Sequence, residues 1–165
     1  MSTSRIVIGI DPGTAITGYG IIRELTSGDL EWIQHGVIKT PSDWNEPRRL
    51  LHLYNSLQGI IKEFQPNCCA VEKIFFQKNV KTALSVGQGR GAALIALAEA
   101  ELPLGEYTPL EIKQAVVGYG NADKTQVQQM VKILLNLEEI PNPDDAADAL
   151  AVGICYFHST RKAIY

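Results

Sequence analysis

The sequence predicts an α/β protein with a five-stranded mixed sheet flanked by helices. Its first part contains three β-branched apolar runs separated by short turns, which favour antiparallel pairing. Further along, helical spacings of apolar residues alternate with short apolar runs, so the later strands are joined through helices and should be parallel. The 165 residues are 45% hydrophobic and 20% charged, typical of one globular domain, and we expect a single domain over 1–165.

The strands are predicted from apolar runs that end at turn residues. The first run, R-I-V-I-G-I-D, stops at the turn-forming pair Pro12-Gly13. The five strands are predicted at 5–11, 17–25, 30–40, 67–72 and 103–108.

The helices are predicted from three- and four-residue apolar spacing. Such a stripe covers 50–64, with Pro47 in the first turn, and an Ala-rich helix covers 80–100. In the last helix we expect Asn142 as N-cap and Pro143 at the first helical position. The final three helices are predicted at 109–117, 124–135 and 143–158.

Charge and cysteine content exclude some classes of protein. Fifteen basic and eighteen acidic side chains give a net charge of −3, which excludes a uniformly basic nucleic-acid coat but permits a local basic patch. The three cysteines form no C-x-x-C pair, so no zinc or iron–sulfur site is expected. No apolar run approaches the roughly 18 residues of a membrane span, and no signal peptide is evident, so we expect a cytoplasmic protein without membrane contact.

Four carboxylates occupy positions that suggest chemistry. Asp11 and Glu72 each end a predicted buried strand, and Asp145 and Asp148 lie three apart on one face of the last helix. Acids gathered at one edge of a sheet repel each other until a cation neutralises them, and Mg²⁺ or Mn²⁺ takes such oxygen ligands. Two ions about 3.5–4 Å apart would clamp the attacking and leaving oxygens of a phosphodiester displacement.

Each carboxylate also has a structural interpretation. Asp11 precedes Pro-Gly, where Asp is a common turn residue, and Glu72 fits a solvated strand end. Asp144 and Asp145 lie near a helix N-terminus, where the macrodipole favours acids. Asp148 lies beyond the first turn among alanines, where a solvated surface would be more polar. The set of acids therefore indicates a metal site more strongly than any member.

Five sequence motifs follow one another along most of the chain. They are I-V-I-G-I-D-P-G-T-A-I-T-G-Y-G at 6–20, V-E-K-I-F-F-Q-K-N at 71–79, G-Q-G-R-G at 87–91, K-Q-A-V-V-G-Y-G-N-A-D-K at 113–124 and D-A-A-D-A-L-A at 145–151. Together and in this order they resemble the RuvC family, the bacterial crossover junction endodeoxyribonucleases. The resemblance implies a ribonuclease H-like fold.

The resemblance also implies a function, a metal site and partners. It implies a homodimer that cuts four-way (Holliday) DNA junctions by two symmetric nicks in recombination and repair, leaving 5′ phosphates. Its metal would be Mg²⁺, replaceable by Mn²⁺, with two ions per active site. Branch-migration helicase proteins are further expected partners. The family's acidic ligands fall on Asp11, Glu72, Asp145 and Asp148.

The glycines of the second predicted helix bear on the expected dimer. Gly87 and Gly91 lie four residues apart and would permit close approach of another helix. The resemblance places this helix near the dimer interface. The alternative is ordinary packing of the helix against the protein's own sheet.

The DNA-binding side is predicted from local charge. Between residues 64 and 98 the only acidic residue is Glu72, whereas the basic residues are Lys73, Lys78, Lys81 and Arg90. We expect this basic excess to contact phosphates, the alternative being a solvated surface. Phe75 and Phe76 lie in the same stretch and would stack on unpaired bases, and the resemblance matches Phe75 to a base-contacting aromatic. Core packing is the alternative for this pair.

Two lysines complete the predicted site. Lys113 and Lys124 match family lysines needed for cleavage, and Lys124 follows a glycine-containing loop and opens a helix. A cation at Lys124 would stabilise charge on the pentacovalent phosphate, and Lys113 would either do the same or hold DNA. Either lysine alone would be interpreted as a surface residue.

The sequence therefore predicts a metal-dependent phosphodiester hydrolase, with three alternatives. A ribonuclease H-like nuclease for RNA or other branched DNA would use the same acids. An actin- or hexokinase-type ATPase shares G-x-D-x-G-T, present at 9–14, but 165 residues cannot supply its two domains. A catalytically silent DNA-binding module would not need four spaced acids.

Overall fold

The computed structural model describes residues 3–73 and 79–162, which form five strands and five helices. The strands are β1 (Arg5–Asp11), β2 (Ile16–Glu24), β3 (Leu30–Lys39), β4 (Cys68–Glu72) and β5 (Leu104–Tyr107). The helices are α1 (Glu46–Phe64), α2 (Val80–Glu99), α3 (Pro109–Val117), α4 (Lys124–Leu134) and α5 (Asp144–Lys162). The order of elements is the predicted one, and the boundaries move by a few residues at most.

The sheet has the order β3-β2-β1-β4-β5. The two hairpin-connected pairs, β1–β2 and β2–β3, are antiparallel. The pairs β1–β4 and β4–β5 are parallel. The chain reaches β4 through α1 and β5 through α2, and such helical crossovers allow parallel pairing. The predicted mixed sheet is confirmed, with β1 at its centre and β4 beside it.

Helices cover both faces of the sheet. On one face Ile8, Ile10, Cys69 and Val71 pack with residues of α1 and α2. On the other face the alternate strand residues pack with α3, α4 and α5, so Cys68 joins a different core from its neighbour Cys69. All three cysteines are buried.

Side chains at the caps determine where the helices begin. The side chain of Asn45 accepts a hydrogen bond from the backbone N–H of Arg48, and reciprocal capping boxes open α3 and α4. The α4 box joins Asp123 and Gln126, so Lys124 is the first helical residue after its cap. The sequence prediction of that start is confirmed.

The predicted cap of the last helix is wrong by one residue. The helix begins at Asp144 rather than Pro143. The carbonyl of Pro143 accepts hydrogen bonds from the N–H groups of Ala146 and Ala147, so Pro143 rather than Asn142 holds the N-cap position. Among the described residues no helix combines the length and the hydrophobicity needed to cross a membrane.

Candidate active site

Two of the predicted ligands lie at the ends of the central strands. The parallel register pairs Ile10 with Val71, and the next residues, Asp11 and Glu72, are the last of β1 and β4. Alternation along the strands turns both carboxylates toward the face covered by α5. Fold topology therefore brings together two acids that are sixty-one positions apart in the chain.

The other two ligands are brought to this point by glycines under α5. A Cβ atom on Gly18 would overlap the carbonyl oxygen of Asp145, and one on Gly9 would overlap that of Ala149. A Cβ atom on Gly20 would lie 2.6 Å from the side chain of Leu150. Because these strand positions carry no side chain, α5 lies directly on β1 and β2, with its acidic first turns at the sheet end that holds Asp11.

The four acids influence one another electrostatically. Burial, followed by the charges of Asp148, Glu72 and Asp145, raises the pKa of Asp11 from 3.8 to about 8. The ammonium of Lys124 acts in the opposite direction. The protein without a bound cation therefore favours a protonated Asp11 near neutral pH.

Two of the neighbouring acids are affected in the same way. Burial and the charge of Asp148 raise the pKa of Glu72, while Lys113 lowers it. Burial also raises the pKa of Asp148, and Lys124 lowers it while Asp145 raises it. Each lysine thus compensates part of the negative charge that the acids concentrate at this end of the sheet.

A cavity of about 230 Å³ opens beside these groups. Two predicted ligands and both predicted lysines line it, together with apolar side chains of α3, α4 and α5. The lining residues are Glu72, Pro109, Ile112, Lys113, Lys124, Val127, Asp148 and Ala151. Acidic and basic groups therefore face one space on an otherwise apolar wall, as expected of a site for a charged ligand.

One ion pair at this cavity was not predicted. The Nζ of Lys124 lies 2.9 Å from Oδ2 of Asp144, and Oδ1 of Asp144 accepts a hydrogen bond from Gln128. The hydrogen bond to Asp144 raises the pKa of Lys124. The sequence had assigned Asp144 only to the helix dipole, whereas in the structure this carboxylate also holds Lys124.

The donor set fits a hard divalent cation. All four candidate ligands offer carboxylate oxygens, the preferred donors of Mg²⁺ and Mn²⁺. Within 3–73 and 79–162, however, no three His, Cys, Asp or Glu side chains form a ready coordination sphere. Carboxylates without a counter-charge repel one another, and a cation would draw them closer.

We expect cation binding at this site to depend on pH through Asp11. A metal ligand must be ionised, and the pKa of Asp11 in the metal-free protein is about 8. Mn²⁺ affinity should therefore rise up to about tenfold per pH unit below pH 8 and level off above it. Mn²⁺ titrations between about pH 6 and 9, followed by the electron paramagnetic resonance signal of the free ion, would measure this. An affinity that does not change over this range would contradict the expectation.

The structure describes part of the predicted DNA-binding set. Lys73 and Lys81 are exposed, whereas Phe75, Phe76 and Lys78 lie outside the described residues. Lys73 follows β4 and Lys81 lies in the first turn of α2.

Arg90 differs from the exposed lysines. Its guanidinium lies 3.1 Å from Oε2 of Glu106 on β5, and its side chain is only 15% exposed. The phosphate contact predicted at Arg90 stays a prediction, and it would require this ion pair to open.

Sequence reasoning missed the glycines that seat α5. Gly9, Gly18 and Gly20 were treated only as parts of a motif. Glycines at alternate positions of a strand leave one sheet face bare, which is the signal that identifies a close helix contact. The identity of that helix is not encoded locally, because the contact joins residues far apart in the chain.

Comparisons with known proteins show which family this chain resembles over most of its length. A family model described as Crossover junction endodeoxyribonuclease RuvC matches residues 7–156. A protein of the same description from Chloroflexus aurantiacus is 55% identical over 152 residues, which are 92% of this chain and 92% of the relative. Another, from Desulfitobacterium hafniense, is 54% identical over 156 residues, 94% of each chain.

Solved structures show the same fold. The structure titled "T. thermophilus RuvC in complex with Holliday junction substrate" matches with a TM-score of 0.92 at 33% identity, over 96% of each chain. The yeast mitochondrial Holliday junction resolvase Ydc2 matches with a TM-score of 0.67 at 14% identity, over 94% of this chain and 80% of its own. These matches confirm the fold that the sequence motifs implied.

Proposed function

This chain belongs to the RuvC family of crossover junction endodeoxyribonucleases, and we propose that it resolves four-way DNA junctions by paired, metal-dependent nicks. The observation that carries the proposal is the convergence of separate acids and lysines at one sheet end. Asp11, Glu72, Asp145 and Asp148 interact there, and Lys113 and Lys124 line the adjoining cavity.

The four acids are the proposed metal ligands. We propose that they hold two Mg²⁺ ions, with Mn²⁺ as a substitute, because the donors are all carboxylates of one charged region. When bound, such ions neutralise the ligands, lower the pKa of water and offset charge on the leaving 3′ oxygen. Half-buried positions restrict how far Asp11 and Glu72 move, so the strand ends hold their ligand atoms in a fixed frame.

The lysines serve the phosphate rather than the metal. Lys113 is half-buried on α3 and Lys124 opens α4, and both line the cavity. Their ammonium groups would bind the oxygens of the scissile phosphate and favour the more negative transition state. Asp144 holds the Lys124 ammonium through the 2.9 Å ion pair, which orients it beside the cavity before the phosphate arrives.

A homodimer is proposed from an exposed apolar stripe on α2. The side chains of Val80, Leu84 and Ile95 are 81%, 63% and 62% exposed, and Gly87 and Gly91 have no atoms within 4 Å of a built Cβ. These five residues share one helix face, which leaves room for a second helix at the glycines. An isologous pair of such faces would present two identical sites to the two equivalent strands of a junction.

We expect Leu84→Glu to separate this dimer. The substitution places a charge in the middle of the apolar face and should weaken self-association by roughly 30-fold or more. Sedimentation of the free protein measures it, and paired nicks should give way to single ones. Ile133→Glu is the matched control, because Ile133 is 64% exposed on α4, away from the stripe. Unchanged sedimentation of Leu84→Glu would remove α2 from the interface.

Two further elements of the proposal rest on the family alone. We propose that the described elements act as one nuclease domain over 1–165. We also propose branch-migration helicase proteins as partners. Co-sedimentation with such a helicase, with and without a junction, tests the second.

One experiment separates the proposal from its alternatives. The purified chain is incubated with Mg²⁺ and a four-way junction, a linear duplex or an RNA–DNA hybrid. We expect nicks at symmetric positions on the junction only, with 5′ phosphates that ligase seals. Cleavage of the hybrid instead would favour a ribonuclease, and binding without cleavage in Mg²⁺ and Mn²⁺ would favour a silent DNA-binding module.

A further inference from the structure

The loop that follows Asp11 is attached to α2 by a buried hydroxyl. Thr14 lies between β1 and β2 and is only 4% exposed. Its Oγ1 donates a hydrogen bond to the carbonyl oxygen of Ser85 at 2.5 Å. Because loops of this kind are usually solvated, a buried side chain that binds a helix carbonyl indicates that the loop is held at a specific position.

A second hydrogen bond holds the same loop from the opposite side. Oγ1 of Thr40, 7% exposed, donates to the carbonyl oxygen of Thr14 at 2.5 Å. Arg49 of α1 in turn donates from Nε to the Thr40 hydroxyl at 2.9 Å. The loop is therefore connected to both helices of this layer, through Ser85 on α2 and Arg49 on α1.

The backbone of the loop also contacts α2 directly. A Cβ atom on Gly89 would lie 2.9 Å from the carbonyl carbon of Gly13 and 3.0 Å from the amide nitrogen of Thr14. Gly89 lies five residues after Leu84, and five residues advance a helix by about 500°. Gly89 therefore lies on the face of α2 opposite the exposed apolar stripe. One face of α2 therefore carries the proposed dimer contact while the other seats the loop after Asp11.

We propose that Thr14 is a positioning residue, whose hydrogen bond to Ser85 fixes the strand end that carries the Asp11 carboxylate. This inference rests on the proposed function, since it assigns Asp11 to metal binding. Asp11 is separated from Thr14 by only Pro12 and Gly13, so a displaced loop displaces the end of β1. Loss of the hydroxyl therefore lowers the affinity of the site for a divalent cation, although Thr14 itself contacts no ligand.

The test compares Mn²⁺ binding by variants of the full chain without DNA. Thr14→Val keeps the shape of the side chain and removes the hydroxyl, and we expect about fivefold weaker Mn²⁺ binding with a Tm lower by a few degrees. Thr14→Ser keeps the hydroxyl and should stay within about twofold of the parent chain. Thr26→Val is the matched control, because it removes the hydroxyl of an exposed threonine in the β2–β3 turn.

Gly89→Ala provides an independent variant if Thr14→Val folds poorly. Its methyl group pushes on the loop backbone and should weaken Mn²⁺ binding without removing any hydroxyl. Parent-like Mn²⁺ affinity in a folded Thr14→Val, or equal losses in Thr14→Val and Thr26→Val, would overturn the inference. If Thr14→Val folds poorly, parent-like affinity in Gly89→Ala would overturn it. A parent chain that binds Mn²⁺ but nicks no junction would contradict the proposed function, while the binding series would still decide the role of Thr14.

Discussion

Asp11→Asn should abolish junction nicking, by at least about 10³-fold, while junction binding remains within a few-fold of the parent chain. Asn keeps the shape of Asp but offers a neutral amide, so the site loses the ligand at the end of the central strand. Nicking rates in Mg²⁺ and gel-shift binding in EDTA measure the two properties separately. Cleavage at the parent rate would remove Asp11 from the mechanism.

The same substitution should stabilise the metal-free protein. The raised pKa of Asp11, about 8, means that the folded state binds this proton more tightly than the unfolded chain. The corresponding stability is present below about pH 4 and is lost as pH rises through about 8. Asn carries no charge at any of these pH values, so the variant should melt about 2–8 °C higher at pH 8 without metal.

The control for both measurements is Asp43→Asn, which changes an exposed acid before α1. We expect parent-like nicking and an unchanged Tm from this control. A lower Tm for Asp11→Asn in EDTA would show that the ionised carboxylate has compensating partners within the fold.

Gly18→Ala should damage the site without changing any charged residue. The added Cβ overlaps the carbonyl oxygen of Asp145, which belongs to the α5 backbone and cannot rotate away. Forced overpacking costs about 1–3 kcal/mol, and a 1 Å shift of a catalytic group lowers a rate by about 10²-fold. We expect a nicking rate reduced by about that factor and a lower Tm.

Gly59→Ala is the matched control for this substitution. Gly59 lies within α1 and has no atom within 4 Å of a built Cβ. Since Ala is the better helix former, this variant should gain about 0.5–1 kcal/mol in the free energy of unfolding and keep its activity. Parent-like nicking by Gly18→Ala would show that α5 is free to move relative to β2.

Residues with a local signal were predicted well from the sequence. The turn at Pro12-Gly13 ends β1 next to Asp11, and the Asp123 cap places Lys124 at the start of α4. Such boundaries depend on hydrogen bonds and backbone preferences within a few residues. The predicted N-cap of α5 was one residue too early. Asn142 has a side chain typical of an N-cap, but the carbonyl of Pro143 accepts the hydrogen bonds from Ala146 and Ala147.

Residues whose role depends on a distant partner were not predicted. The pairing of Arg90 with Glu106, and of Lys124 with Asp144, joins side chains on separate elements. Thr14 is similar, because nothing near it in the sequence indicates that Ser85 will accept its hydrogen bond. Polar residues of this kind look like ordinary surface or turn positions until the fold gives them a neighbour.

The element order, the mixed sheet and the four candidate carboxylates could be predicted from the sequence, since apolar periodicity and turn chemistry are local properties of the chain. The folded arrangement of the elements was needed to see that these acids interact electrostatically and that α5 lies against the glycine face of β1 and β2. Charge repulsion and close packing act between elements in space, so their effect is fixed only when the sheet and its helices come together.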